Sequence, residues 1–245
     1  MFKRNYVLIA AGLGLLGGLT RYFLYRLAAD TPLLLQTGHP LEAISYLLTL
    51  AAAAFCLAAA WKQQKSERFS ENFSPSFPAL CGHVFAAAGI FLTVFGNEPG
   101  TPGVFAVIWR VLGYGSIPCL IGAGYFRMQG KQPHLGLHLV PCLFLLLHIV
   151  VSFRGWSGFP EPQGYLFALL GSISMTFFSY DLTAFDVDIG KRRRFLFFGL
   201  AAVYLGLTEA THSDAPWLYL CAAIWAAASL WDLRPLPEAP QEPQV

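Results

Sequence analysis

Charged side chains are scarce in this chain, making up 12% of its 245 residues. An ordinary soluble domain carries roughly 25%. Together with a mean hydropathy of +0.52, that deficit excludes a soluble globular protein and makes lipid the solvent. The net charge of +2 is too small to attract a nucleic-acid backbone. No loop contains a cysteine. Cys56, Cys81, Cys119, Cys142 and Cys221 all lie in apolar stretches, which excludes the disulfide framework of a small secreted domain and makes them packing residues. All five lysines sit outside the apolar runs, so no retinal-type Schiff base can form within the membrane. The chain has no G-x-x-x-x-G-K-[ST], no H-E-x-x-H and no G-x-S-x-G. That removes an ATP-hydrolysing P-loop, a zinc-protease helix and a serine-hydrolase elbow.

Apolar runs are what the chain has in abundance. Eight can be read, at about 6–28, 41–61, 78–96, 103–125, 134–153, 163–183, 194–210 and 215–232. Helices rising 1.5 Å per residue need roughly 20 residues to cross about 30 Å of hydrocarbon. The expected fold is therefore all-α: a polytopic membrane protein of about eight transmembrane helices, arranged as four successive hairpins. Residues 1–233 form one helical domain, and 234–245 form a disordered Pro-rich tail. The first run is read as a retained helix, because Arg21 and Arg26 interrupt it before any cleavage site. With the N-terminus inside, the inner segments carry Lys3, Arg4, Lys62, Lys65, Arg68, Arg127, Lys131, Lys191, Arg192, Arg193, Arg194 and Arg234. The outer loops carry only Arg154, with Arg26 near the outer boundary. That asymmetry places both termini in the cytoplasm, with the protein in the inner membrane. The second and eighth runs look alike, YLLTLAAAAFCLAAAWK against YLCAAIWAAASLWDLR, which suggests a repeated hairpin.

Ionisable groups at membrane depth are costly and are the first functional candidates. Gly14, Gly18, Arg21 and Tyr25 share one helical face, so the small residues that bring a neighbouring helix close should also turn Arg21 inward. Arg110 precedes Gly113, Gly115 and Pro118, a combination found where transporter helices are broken. Depth groups Arg21, Glu42, Arg110, His148 and Glu209 in the outer half, with Arg26, Asp30 and His39 beside them. The expected arrangement is an outward-facing polar vestibule that binds an anion or zwitterion. Arg110 should face inward and meet Glu42 or Glu209.

A second cluster is His138 with His134 one turn away towards the water boundary, and His83 on another helix at a depth similar to His138; bis-histidine haem or metal ligation fits this geometry. Nothing else in the sequence requires a cofactor, and none is expected. Ser172, Thr176, Ser179 and Thr183 share another face, with Asp181 opposite them. The KRRR run at 191–194 is placed to pair with Asp181 or to meet anionic lipid head groups.

The favoured reading is transport or small-ligand binding through the vestibule, with no catalytic residue assigned. The first alternative is a non-catalytic membrane subunit or a sensory or assembly component. The second is a haem- or metal-binding redox protein. Expected partners are the bilayer, other protein subunits and an unidentified small molecule or ion.

Overall fold

The structure is a computed structural model describing residues 4–31, 34–35, 39–96, 103–156, 163–211 and 213–235. It is all-helical apart from one small hairpin. The helices are α1 (Asn5–Ala28), α2 (Pro40–Trp61), α3 (Phe69–Asn72), α4 (Phe77–Gly96), α5 (Val104–Met128), α6 (Leu135–Trp156), α7 (Gln163–Phe185), α8 (Arg192–Glu209) and α9 (Pro216–Trp231). Strands β1 (Ala29–Thr31) and β2 (Leu34–Leu35) pair antiparallel between α1 and α2. The tail beyond Pro235 and the side chain of Asp30 lie outside the described residues.

Each apolar run folds as a helix, with ends shifted by a few residues. Six helices, α1, α2, α4, α5, α6 and α7, are long and apolar enough to cross a membrane. The expected count of eight would also need α8 and α9, which have 18 and 16 residues. Helix α8 is less apolar because Arg192, Arg193, Arg194 and Glu209 stand at its ends around an apolar middle. It packs against α1, α2, α7 and α9 and buries most of its length.

All four expected hairpin pairs touch, but they do not organise the bundle. Helices α4, α5, α6, α7, α8 and α9 each pack on the next, and α9 closes back onto α4. The result is a ring of six helices, with α1 and α2 standing outside it against α8. The two helices that look alike in sequence, α2 and α9, occupy different environments. Helix α9 is a buried member of the ring, whereas much of α2 is exposed.

Glycine sets the closest approaches. A Cβ on Gly14 would sit 2.9 Å from the Tyr204 carbonyl oxygen, so α1 lies almost backbone to backbone on α8. A Cβ on Gly82 would lie 2.7 Å from Ala228 Cβ, which does the same for α4 on α9.

One end of the bundle is closely knit, and it is the end that carries most of the basic residues. Arg192, buried, donates to Asn72 Oδ1 (2.7 Å) and to the Arg234 carbonyl (2.7 Å). Arg193 donates to the Gln63 carbonyl (2.6 Å), and Arg194 Nε to Asp181 Oδ1 (2.7 Å). Arg194 thus pairs with Asp181 as expected, and Arg192 and Arg193 are engaged within the protein as well. A Phe73–Leu233 bridge ties the segment after α3 to the segment after α9.

Candidate functional site

The expected vestibule is only partly assembled. Helix α1 delivers Arg21 as its glycine face predicts. Gly14 and Gly18 fix the approach to α8, and one turn further Arg21 Nη2 lies 3.0 Å from Glu209 Oε1. Their side chains are 3% and 2% exposed. The contact is close but off the hydrogen-bond axis, and Oε1 has no hydrogen-bond partner among the described residues. The Arg21 guanidinium lies 4.2 Å from the centre of the Phe167 ring and donates to the Tyr25 hydroxyl at 3.3 Å. Glu42 is half-buried at the start of α2, near Tyr46. His39 caps α2, its Nδ1 accepting from the Leu41 N–H at 3.3 Å.

Arg110 and His148 do not join this group. Arg110 is exposed on α5, beside exposed Ile108 and Val111, while Trp109 is buried. The expectation that Arg110 faces inward and pairs with Glu42 or Glu209 is therefore overturned. The reason is angular. The buried stripe of α5 runs Trp109, Gly113, Ser116, Leu120, Gly124, Arg127, and Arg110 stands about 100° away from it. Helix α5 packs mainly against α4 and α6, neither of which carries those carboxylates. His148 is buried between Trp109 and Phe144, with ring centroids 6.1 Å from each, in a different sector of the bundle.

The histidines form a second polar centre, inside the ring at its knitted end. His83 on α4 and His138 on α6 are fully buried. Their Nε2 atoms are 3.0 Å apart. His83 Nδ1 lies 2.6 Å from the Ala79 carbonyl, and His138 Nδ1 lies 2.6 Å from Asp186 Oδ2. Small residues make room for this. A Cβ on Gly124 would sit 2.9 Å from His83 Cβ, so α5 approaches α4 there as closely as a glycine allows. Gln132 donates to the Phe185 and Asp186 carbonyls, holding Asp186 at the end of α7.

His134 is exposed against Phe126 and takes no part, so the expected histidine trio reduces to a pair. That pair is not spaced for haem iron. Metal–nitrogen bonds of about 2.0 Å would hold two axial nitrogens about 4 Å apart. No group of three or more His, Cys, Asp or Glu among the described residues has the geometry to hold a metal.

Arg127, on the last turn of α5, completes this centre and was not singled out by the sequence. It is 0% exposed, its guanidinium 4.0 Å from the centre of the Phe73 ring. None of its three guanidinium nitrogens has a hydrogen-bond partner among the described residues. Its charge acts on Asp186 and on Asp232, just past α9. Burial raises both carboxyls above their ordinary value, against the pull of that charge. The signal for Arg127 was present, because it continues the small-residue stripe of α5 in the way Arg21 continues that of α1. Asp186 carried no such signal. It stands in a turn, and only the packing of α6 against α7 brings it to His138.

Counting protons shows what this centre can do. The chain from the Ala79 carbonyl through His83 and His138 to Asp186 has three hydrogen bonds and so needs three protons. Two neutral imidazoles and an ionised carboxylate supply two. The intact chain therefore holds one extra proton, shared among His83, His138 and Asp186. Losing that proton must break one of the three bonds. By contrast, the Ser172–Ser179 face of α7 is a packing seam, with Ser172 bonded to the Tyr219 hydroxyl at 2.8 Å.

Comparison with family models, curated proteins and solved structures gives no match, so the function of this multi-pass helical membrane-type protein has to be argued from its own geometry.

Proposed function

We propose that this chain is a membrane transport protein that works by binding and releasing a proton at the buried His83–His138–Asp186 chain. The observation that carries this reading is the buried line Asp186 Oδ2–His138 Nδ1, His138 Nε2–His83 Nε2, His83 Nδ1–Ala79 O, which with all three bonds made holds one proton more than two neutral imidazoles and an ionised carboxylate. Histidine suits the task because its ordinary pKa places its charge change near neutral pH. The line also joins helices. Protonation ties α4 to α6 and to the end of α7, and deprotonation releases one of those ties. A transported small molecule or ion would then experience two arrangements of the ring. In this reading the working polar group lies at the basic end, and the outer Arg21–Glu209 pair is structural.

Proton flux into proteoliposomes, read with an entrapped pH dye after an external acid jump, tests this. Wild-type protein should acidify the lumen, and His138→Gln and Asp186→Asn should reduce the rate at least tenfold. Equal rates for wild type, both variants and protein-free vesicles would overturn the transport reading.

A second reading is a sensory or assembly subunit that responds to pH without conducting. The buried apolar layer of Phe144, Leu120, Phe178 and Trp225 within the ring favours it. Absent flux, together with a pH-dependent α4–α6 distance between spin labels, would select it.

A further inference from the structure

The proton chain needs a route to water, and the buried groups beside it form one. A cleft of about 360 Å³ opens at the knitted end of the bundle, lined by Arg4, Ser76, Trp231, Asp232 and Arg234 among others. Arg4 is held over the Trp231 ring at 5.3 Å, and Arg234 donates to the Ser70 carbonyl, so both stand at the rim. Ser76 forms the inner wall. Its hydroxyl accepts from the Ala79 N–H, and its own N–H donates to the Arg127 carbonyl at 3.4 Å. Directly behind the cleft, therefore, lies the last turn of α5.

Several buried polar groups near that wall and the histidines lack hydrogen-bond partners. Arg127 Nε, Nη1 and Nη2, Asp186 Oδ1, Asp232 Oδ2 and Trp225 Nε1 are buried atoms without a hydrogen-bond partner among the described residues. A buried guanidinium with no hydrogen bond is too costly to persist, and an apolar void cannot supply one. Buried polar atoms in such a cluster are the normal lodging of internal water, which makes about three hydrogen bonds per molecule.

We propose that Arg127, Asp186 and Asp232 enclose a short file of bound water running from the cleft to His138, with Asp232 the group through which protons enter. The inference rests on the proton-handling reading for its purpose, but not for its geometry. Asp232 is placed for the task because its carboxylate lines the cleft while Oδ2 turns into buried space. Arg127 then acts as a positioning residue. Its fixed positive charge orients the waters and balances the carboxylates on either side. The charged and titratable groups around the file are Arg4 and Arg234 at the rim, Asp232, Arg127 and Asp186 along it, and His138 with His83 at its end.

The test uses full-length protein in lipid bilayers and reads water directly. Water-edited solid-state NMR should show rapid polarisation transfer from water to the Arg127 guanidinium. Exchange of the His138 ring N–H into deuterated buffer should slow at least tenfold in Asp232→Asn and recover in Asp232→Glu. Ser74→Ala, at the rim, should leave the exchange rate unchanged. No water transfer to Arg127 in the wild type would overturn the proposal without any variant having to fold. An unchanged exchange rate in Asp232→Asn would remove Asp232 as the entry group. Failure of the transport reading would look different, with fast exchange at His138 but no flux across vesicles.

Discussion

Two arginines are buried at opposite ends of this bundle, and their surroundings differ. Arg21 faces the carboxylate of Glu209 and the rings of Phe167 and Tyr25, where charge is matched by charge. Arg127 has no hydrogen bond among the described residues and stands near Asp186 and Asp232, whose carboxyls burial raises above their ordinary value. A matched pair holds a structure together. A cation without hydrogen bonds beside such carboxyls leaves proton occupancy adjustable. Burial alone therefore does not mark a working charge, and the balance of hydrogen bonds around it is the better guide.

The largest expected effect comes from unbalancing the matched end. Glu209→Gln leaves Arg21 uncompensated and should cost about 3–5 kcal/mol, whereas the double variant Arg21→Met, Glu209→Leu should stay within roughly 1 kcal/mol of wild type. Unfolding in mixed detergent measures both. A double variant as unstable as the single one would show that the pair does more than neutralise itself.

Next in size are the glycine contacts that seat the two centres. Gly14→Ala and Gly124→Ala place a Cβ within 2.9 Å of the Tyr204 carbonyl oxygen and of His83 Cβ respectively. Each should cost about 1–3 kcal/mol by overpacking. Only Gly124→Ala should also shift the 15N signals of the His83 and His138 rings, and equal shifts in both variants would erase the distinction between the ends.

A smaller effect is expected from titration. Burial raises the Asp186 carboxyl, so the folded chain holds a proton at pH values where the unfolded chain has released it. Stability should then fall as pH rises from about 4 towards neutrality. Asp186→Asn should flatten that fall without abolishing it, because burial also raises Asp232. A stability curve that is level in the wild type would count against a proton shared with His138. Smallest of all is Arg110→Leu, exposed on α5, which should change stability by no more than about 0.5 kcal/mol and leave proton flux intact.

Helix positions and the basic asymmetry were legible because both are properties of single segments. Legible too was the inward turn of Arg21, since Gly14 and Gly18 mark its face. The same reasoning applied to α5 would have favoured Arg127 over Arg110. The Gly113, Gly115 and Pro118 cluster drew attention to helix-breaking residues, while the stripe from Trp109 to Arg127 carried the information on facing. His83 and His138 were matched correctly in depth, but depth gives no lateral position. His134 shares a helical face with His138 but lies one turn nearer the water boundary, and it ends at the surface.

By itself, the sequence determined that this chain is a bundle of apolar helices and where its helices begin and end. Hydrophobic length and the cost of charge in lipid act locally, residue by residue. Only the tertiary structure decided that six helices close into a ring, that α8 becomes an interior helix, and that Asp186 meets His138 while Arg110 stands exposed on α5. Those outcomes depend on which small residues of one helix find a close-fitting surface on another. That choice is made by pairs of helices together, so no single stretch of sequence contains it.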